Sequence, residues 1–177
     1  MSGIISDNVG RATGLIKAAG GGGKIGQVLQ VYKSDTFSTS STTAVDITDM
    51  TLDITCSATS SKVLVFFNLQ VGNSSTVARS QVFLYRDSTQ ILMGDAEGSN
   101  RPRMSGVGYS NLDAAGHQWT IAGQYLDSPS STSALTYKLQ GRTRDVGSMY
   151  INREGDDTDS ATRGRTASTL TLMEVLV

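Results

Sequence analysis

From Ile25 onward, apolar and polar residues alternate in short runs separated by Gly, Ser, Asp and Pro. A period of two sends successive side chains to opposite faces of an extended chain, so the pattern predicts β-strands. Ile25–Lys33 is the first of them, and Thr36–Thr43 reads as a Ser/Thr-rich connection. Asp46–Cys56 follows with strict alternation: Met50, Leu52, Ile54 and Cys56 face one way, while Thr51, Asp53 and Thr55 face the other. That is a strand with one wet face.

Two segments break the one-face rule. In Lys62–Val71, Val63, Val65, Phe67, Leu69 and Val71 fill one face, yet Leu64 and Phe66 make part of the other apolar as well. Thr169–Val177 does the same, with Leu170, Leu172 and Leu176 on one side and Met173, Val175 and Val177 on the other. A strand apolar on both faces lies in the middle of a covered sheet or at a subunit interface. Leu64, Phe66, Met173, Glu174 and Val175 are therefore the expected oligomer contacts. Glu174 shares the Leu170 face, and a carboxylate buried there needs a partner such as an arginine.

Further strands are expected at Arg79–Arg86 and Gln90–Gly94, joined by a hairpin at Asp87-Ser88-Thr89, and at His117–Leu126, Ala134–Gln140 and Met149–Asn152. Asp95–Gly116, with Gly98, Gly106, Gly108 and Gly116, is a long irregular excursion holding one short strand around Met104–Ser110. Glu154–Arg165 reads as a charged loop. No amphipathic helix and no long repeat is evident. The expected fold is all-β: an antiparallel jelly-roll-like β-sandwich over residues 25–177, preceded by an extended N-terminal arm.

The arm, residues 1–24, is of different composition. It is rich in small residues, ends in Gly20-Gly21-Gly22-Gly23, and spaces Ile4, Ile5, Val9, Leu15 and Ile16 irregularly around Arg11. These are too few for a core but suited to docking in grooves of another protein, which would supply their order. The glycines serve as a hinge.

Composition narrows the function classes. With 19 glycines and abundant Ser and Thr, the chain favours strands and turns. A net charge of −1, with charges interleaved singly, gives no basic stripe for nucleic acid or an anionic membrane. The lone Cys56 makes no intrachain disulfide, and no apolar run is long enough to insert in a membrane. The first twenty residues lack the basic start and continuous apolar stretch of a secretion signal, so synthesis in a cytosol is expected.

Candidate chemistry is sparse. Gly20–Lys24 fails as a phosphate loop, because Ala18 occupies the first glycine position and Ile25 stands where Ser or Thr would hold magnesium. His117 is the only histidine; no G-x-S-x-G elbow accompanies it, and Ser105 lacks the upstream glycine. Asp156-Asp157-Thr158-Asp159 could offer oxygens to calcium, but it lacks the glycine and distal glutamate of an EF-hand, and Arg153, Arg163 and Arg165 are placed to neutralise it. With only Glu97, Glu154 and Glu174 as glutamates, a glycan-cleaving groove is not indicated. Tyr109, Trp119 and Tyr125 could stack on sugars, although strand spacing favours a core place for Trp119. No catalytic group, metal or cofactor is expected.

The opening Ile4-Ile5-Ser6-Asp7-Asn8-Val9-Gly10-Arg11-Ala12-Thr13-Gly14-Leu15-Ile16-Lys17-Ala18, the glycine run and the ending Thr169-Leu170-Thr171-Leu172-Met173-Glu174 resemble small structural proteins of tailed bacteriophages. Tyr125-Leu126-Asp127-Ser128-Pro129 and Thr136-Tyr137-Lys138 share that likeness. The resemblance implies an arm that attaches to other virion proteins and a homotrimeric head similar to tumour-necrosis-factor-like or C1q-like jelly rolls. It implies a tail fibre touching the host surface, with Arg101, Arg103 and Tyr109 on a host-contact loop and a surface glycan as possible ligand. A capsid decoration protein is the alternative, and a cellular C1q-like glycan-binding module a third.

Overall fold

The computed structural model describes residues 24–75, 78–109, 117–144 and 146–177. The arm positions Ile4, Ile5, Val9, Arg11, Leu15 and Ile16 lie outside the described residues. The described part is all-β, with eleven strands and no helix: β1 (Ile25–Lys33), β2 (Phe37–Thr39), β3 (Val45–Thr55), β4 (Lys62–Asn73), β5 (Arg79–Arg86), β6 (Thr89–Ile91), β7 (Gly106–Tyr109), β8 (Gln118–Asp127), β9 (Ala134–Thr143), β10 (Met149–Ile151) and β11 (Ser168–Val175).

They form two antiparallel sheets. In the first, β4 is central, with β8 on one side and β11 then β1 on the other; β10 and β2 continue the β11 and β1 rows. In the second, β9 and β5 are central, flanked by β3 on one edge and by β6 and β7 on the other. The pairs β1·β11, β3·β9, β4·β8 and β5 with β6 and β7 are nested in sequence and alternate between the sheets. One long hairpin wound about the core is the topology of a jelly roll.

The inward faces supply the core: Val63, Val65, Phe67, Leu69 and Val71 of β4 pack with Leu84, Leu135, Tyr137, Leu139, Leu170 and Leu172. Met50, Ile54 and Cys56 are buried as the alternation requires, but Ile47 is buried as well. Its parity is opposite, and the chain reconciles the two with a bulge between Asp46 and Thr51, where Asp49 adopts φ 61°.

Several boundaries differ from expectation. The Thr36–Thr43 connection contains β2, which pairs with β10. The hairpin after β5 turns on Asp87 and Ser88 alone, with Arg86 opposite Thr89, and β6 ends at Ile91 rather than Gly94. β9 runs on to Thr143 because Gly141, Arg142 and Thr143 pair with β5, and β11 stops at Val175.

The sandwich closes at two corners. At one, β1 lies against β3, and Lys33 is fully buried there; its Nζ donates to Asp35 at 2.8 Å and Thr48 at 3.2 Å and lies 3.6 Å from Asp49. At the other, β7 lies against β8, with Gly106 and Gly108 facing Ile121 and Trp119.

Candidate functional site

The strand register places outward side chains of the first sheet in rows. Val28 of β1 pairs with Met173 of β11, Met173 with Leu64 of β4, and Leu64 with Leu126 of β8. All four are apolar and cross the full width of the sheet. Val28 keeps 54% of its surface exposed and Leu126 46%. The flanking rows hold Val175 and Lys62 on one side and Gln30, Thr171, Phe66 and Gln124 on the other. Tyr32, 63% exposed, begins the next row.

Charge is almost absent from this face. Among the outward positions of β1, β4, β8 and β11, Lys62 at one end is the single ionic side chain, and the polar groups are amides and hydroxyls. Some of these bond each other across strands: Gln30 Nε2 donates to Thr171 Oγ1 at 2.7 Å, and Thr120 Oγ1 to Gln70 Oε1 at 3.0 Å. Ala122, a small residue in the row next to Phe66 and Gln124, lies in a shallow depression of about 430 Å³ lined also by Asn68 and Thr169.

The far end of the same face is covered. The charged 153–165 segment crosses it: a Cβ on Gly72 would collide with the Arg153 carbonyl, and the Arg153 guanidinium lies 3.5 Å from the centre of the Tyr150 ring. Gln118 fixes the segment by donating to Gly164 O at 3.0 Å and accepting from Thr166 Oγ1 at 2.7 Å. The loop thus seals the Gly72 end and leaves the Val28–Leu126 row bare.

Leu64, Phe66, Met173 and Val175 are therefore brought together on one outward surface. Glu174 is not. It points inward at 2% exposure, and among the described residues no arginine meets it. Its Oε1 accepts from the Ser57 N–H and hydroxyl, each at 2.6 Å, and its Oε2 from Gln27 Nε2 at 2.9 Å. The expected cationic partner is replaced by neutral donors from the turn after β3 and from β1. The Ser57 hydroxyl first, then Gln27, hold the carboxyl down to about 2.

A depressed folded-state value means the stabilisation is complete above the ordinary value of 4.5 and is lost as pH falls through the folded value of about 2. Urea unfolding should show midpoints that decline as pH falls from about 5 towards 2, with this component missing in Glu174→Gln. At neutral pH that variant should lose about 2 kcal/mol. Identical pH slopes in the two proteins would contradict the assignment.

Ser105 is engaged structurally: its Oγ accepts from Leu84 N–H at 2.9 Å and donates to Ile91 O at 3.3 Å. Trp119, Ile121 and Tyr125 all point inward from β8, so Trp119 and Tyr125 pack against the core rather than stand free for sugars. The Cys56 thiol is buried, and burial, then the Glu174 charge, push its titration up. Asp156 and Glu154 are bridged by Arg163 at 3.2 and 3.4 Å, and Asp157 by Arg165 at 2.5 Å. The arginines thus take the positions a cation would fill, and among the described residues no cluster of three metal-ligating side chains occurs.

Arg101, Arg103 and Tyr109 are all exposed. Arg103 is tied to its own loop, its Nε donating to Gly94 O at 2.7 Å. Tyr109 lies on β7 with the Arg79 guanidinium 4.8 Å from its ring centre. Arg142 and Arg144, which no sequence motif marks, lie near Arg101 around one depression. Their signal was weak, because an outward arginine on an alternating strand is ordinary.

No known family and no curated protein matches the sequence. Among solved structures, the chain is similar to that of infectious bursal disease virus Gx strain, with 14% identity, TM-score 0.44, and coverage of 85% of this chain and 37% of that one. The VP2 subviral particle of infectious bursal disease virus gives 13% identity, TM-score 0.44, and coverage of 85% and 38%. The chain thus spans well under half the length of these structures.

Proposed function

We propose that this chain is a non-enzymatic structural protein of a phage virion, that its jelly-roll head forms a homotrimer through the outer face of the β8-β4-β11-β1 sheet, and that residues 1–24 attach it to the particle. Within that class it serves as a tail-associated fibre whose head contacts the host surface. The single observation that carries the proposal is the apolar, nearly uncharged row Val28–Met173–Leu64–Leu126 spanning the width of the first sheet.

The chemistry of this face fits a second copy of itself. A face bearing one lysine and no carboxylate does not repel its like, whereas a partner of high charge would find nothing to pair with. By contrast, the outer face of the other sheet carries Asp46, Lys138, Arg142 and Arg79 and would repel or mispair on self-contact. The likeness of both chain ends to phage structural proteins supports the arm and the threefold.

Sedimentation equilibrium of the full chain should give a mass three times that of the monomer. Met173→Glu places a carboxylate in the middle of the row, and Leu64→Glu does so on the central strand; each should weaken association by about 100-fold or more while the monomer still folds. A wild-type chain that stays monomeric at tens of micromolar would refute the trimer. Copy number separates locations: tens per particle fit a tail, hundreds a shell.

A further inference from the structure

The outer face of the second sheet carries a different feature. Arg142 of β9, Arg144 just beyond it and Arg101 of the 95–105 excursion line one depression of about 260 Å³ with Thr42, Ser99 and Asn100. Among the described residues, its lining contains no carboxylate and none of these arginines takes part in an ion pair. Arg144 and Pro102 form a shared wall with a second depression of about 490 Å³, whose floor includes Met104, Val107 and Tyr109.

Arg142 is held in place from three directions. Its Nε donates to Gln81 Oε1 at 2.7 Å, its Nη1 to Thr42 O at 3.4 Å, and its guanidinium lies 5.2 Å from the centre of the Phe83 ring. A guanidinium fixed by neutral partners keeps its full charge and a planar fork ready for an oxyanion. Arg101 and Arg144 line the same depression as Arg142, and three like charges around one concavity favour an anion there.

We infer that this double depression binds an acidic saccharide, its carboxylate or phosphate held by Arg101, Arg142 and Arg144 and its ring lying over the Pro102–Tyr109 floor. The inference deepens the host-contact part of the proposed function, and rests on it for the source of the sugar. The two sizes suit that division: the smaller accommodates an acidic group with its hydroxyl neighbours, the larger a pyranose ring. Ser99, Asn100 and Thr42 supply donors and acceptors for hydroxyls.

Binding is to be measured on the full chain by calorimetry or NMR titration with a trigalacturonate, a phosphorylated trigalactose, and neutral trigalactose as the uncharged counterpart of both. The two acidic probes separate uronate from phosphate sources. At least one should bind, about tenfold or more tighter than the neutral trimer, with affinity falling as salt rises. Arg101→Ala, on an exposed loop and harmless to folding, should lose about fivefold, and Arg142→Lys, which keeps charge but not the fork, a similar amount. Arg165→Gln, in the separate 153–165 segment, should bind as wild type.

Equal binding of neutral and acidic trimers, or full affinity in both arginine variants, would overturn the site. So would short duplex DNA displacing the saccharide at lower concentration, which would make this a phosphate-backbone surface instead. Host adsorption is measured apart: sugar binding by the wild-type chain that Arg101→Ala weakens, with unaffected adsorption of particles carrying Arg101→Ala, removes the host-contact reading and leaves the site standing.

Discussion

Asp127→Ala should lower the stability of the head by about 3–5 kcal/mol, read as the shift in urea unfolding at neutral pH. Asp127 closes β8 with only 6% of its side chain exposed, and two partners from the other sheet converge on its Oδ2: Arg86 Nη1 of β5 at 2.6 Å and the Tyr137 hydroxyl of β9 at 2.7 Å. Oδ1 accepts from the Ser128 N–H at 2.9 Å. Burial, then the Asp127 hydrogen bond, push the Tyr137 phenol far above its ordinary range, so it stays a donor at any working pH. Truncation would leave a fully buried hydroxyl unpaired and strip the half-buried Arg86 guanidinium of its carboxylate.

The double variant isolates that cause. Tyr137→Phe alone should cost about 1–2 kcal/mol, and Asp127→Ala with Tyr137→Phe should cost less than the sum, because the orphaned hydroxyl has gone. Strict additivity would mean the node is three separate contacts rather than one network.

Gly108→Ala should cost about 3 kcal/mol, at the upper end for overpacking. A Cβ built on Gly108 falls within the Trp119 indole, on top of Nε1, and one on Gly106 meets the Ile121 methyl. The indole therefore occupies the space of the absent side chain, and β7 closes on β8 only because both inward positions are glycine. Adding a methyl must expel Trp119 or break the Arg79–Tyr109 and Gln81–Val107 pairings with β5. Tryptophan fluorescence should shift to the red in the same variant. An unchanged spectrum with native stability would show that the corner is loosely packed.

Strand identity was legible because alternation is local. β5 matches its expected bounds, β1 matches from Ile25 to Lys33, and the two faces of β4 and β11 were visible as runs with apolar residues at both parities. Positions that break local pattern for a tertiary reason were not legible. The parity change between Ile47 and Met50 needs a bulge that no turn residue announces, and Lys33 reads as a strand-end cation although Asp35, Thr48 and Asp49 enclose it. Glu174 was recognised as buried, but its partners lie far away in sequence on Ser57 and Gln27, so a pattern could name only a generic arginine.

The sequence by itself determined the class of fold and the two strands with apolar outer faces, since both follow from which side of an extended chain each residue occupies. Only the tertiary structure decided register and neighbours. Register turned four scattered residues, Val28, Leu64, Leu126 and Met173, into one continuous row, and packing brought Arg101 beside Arg142 and Arg144 from a distant loop. The physical reason is the same in each case: alternation fixes the face of a side chain, but its distance from another strand's side chains is set by long-range pairing, which no local period encodes.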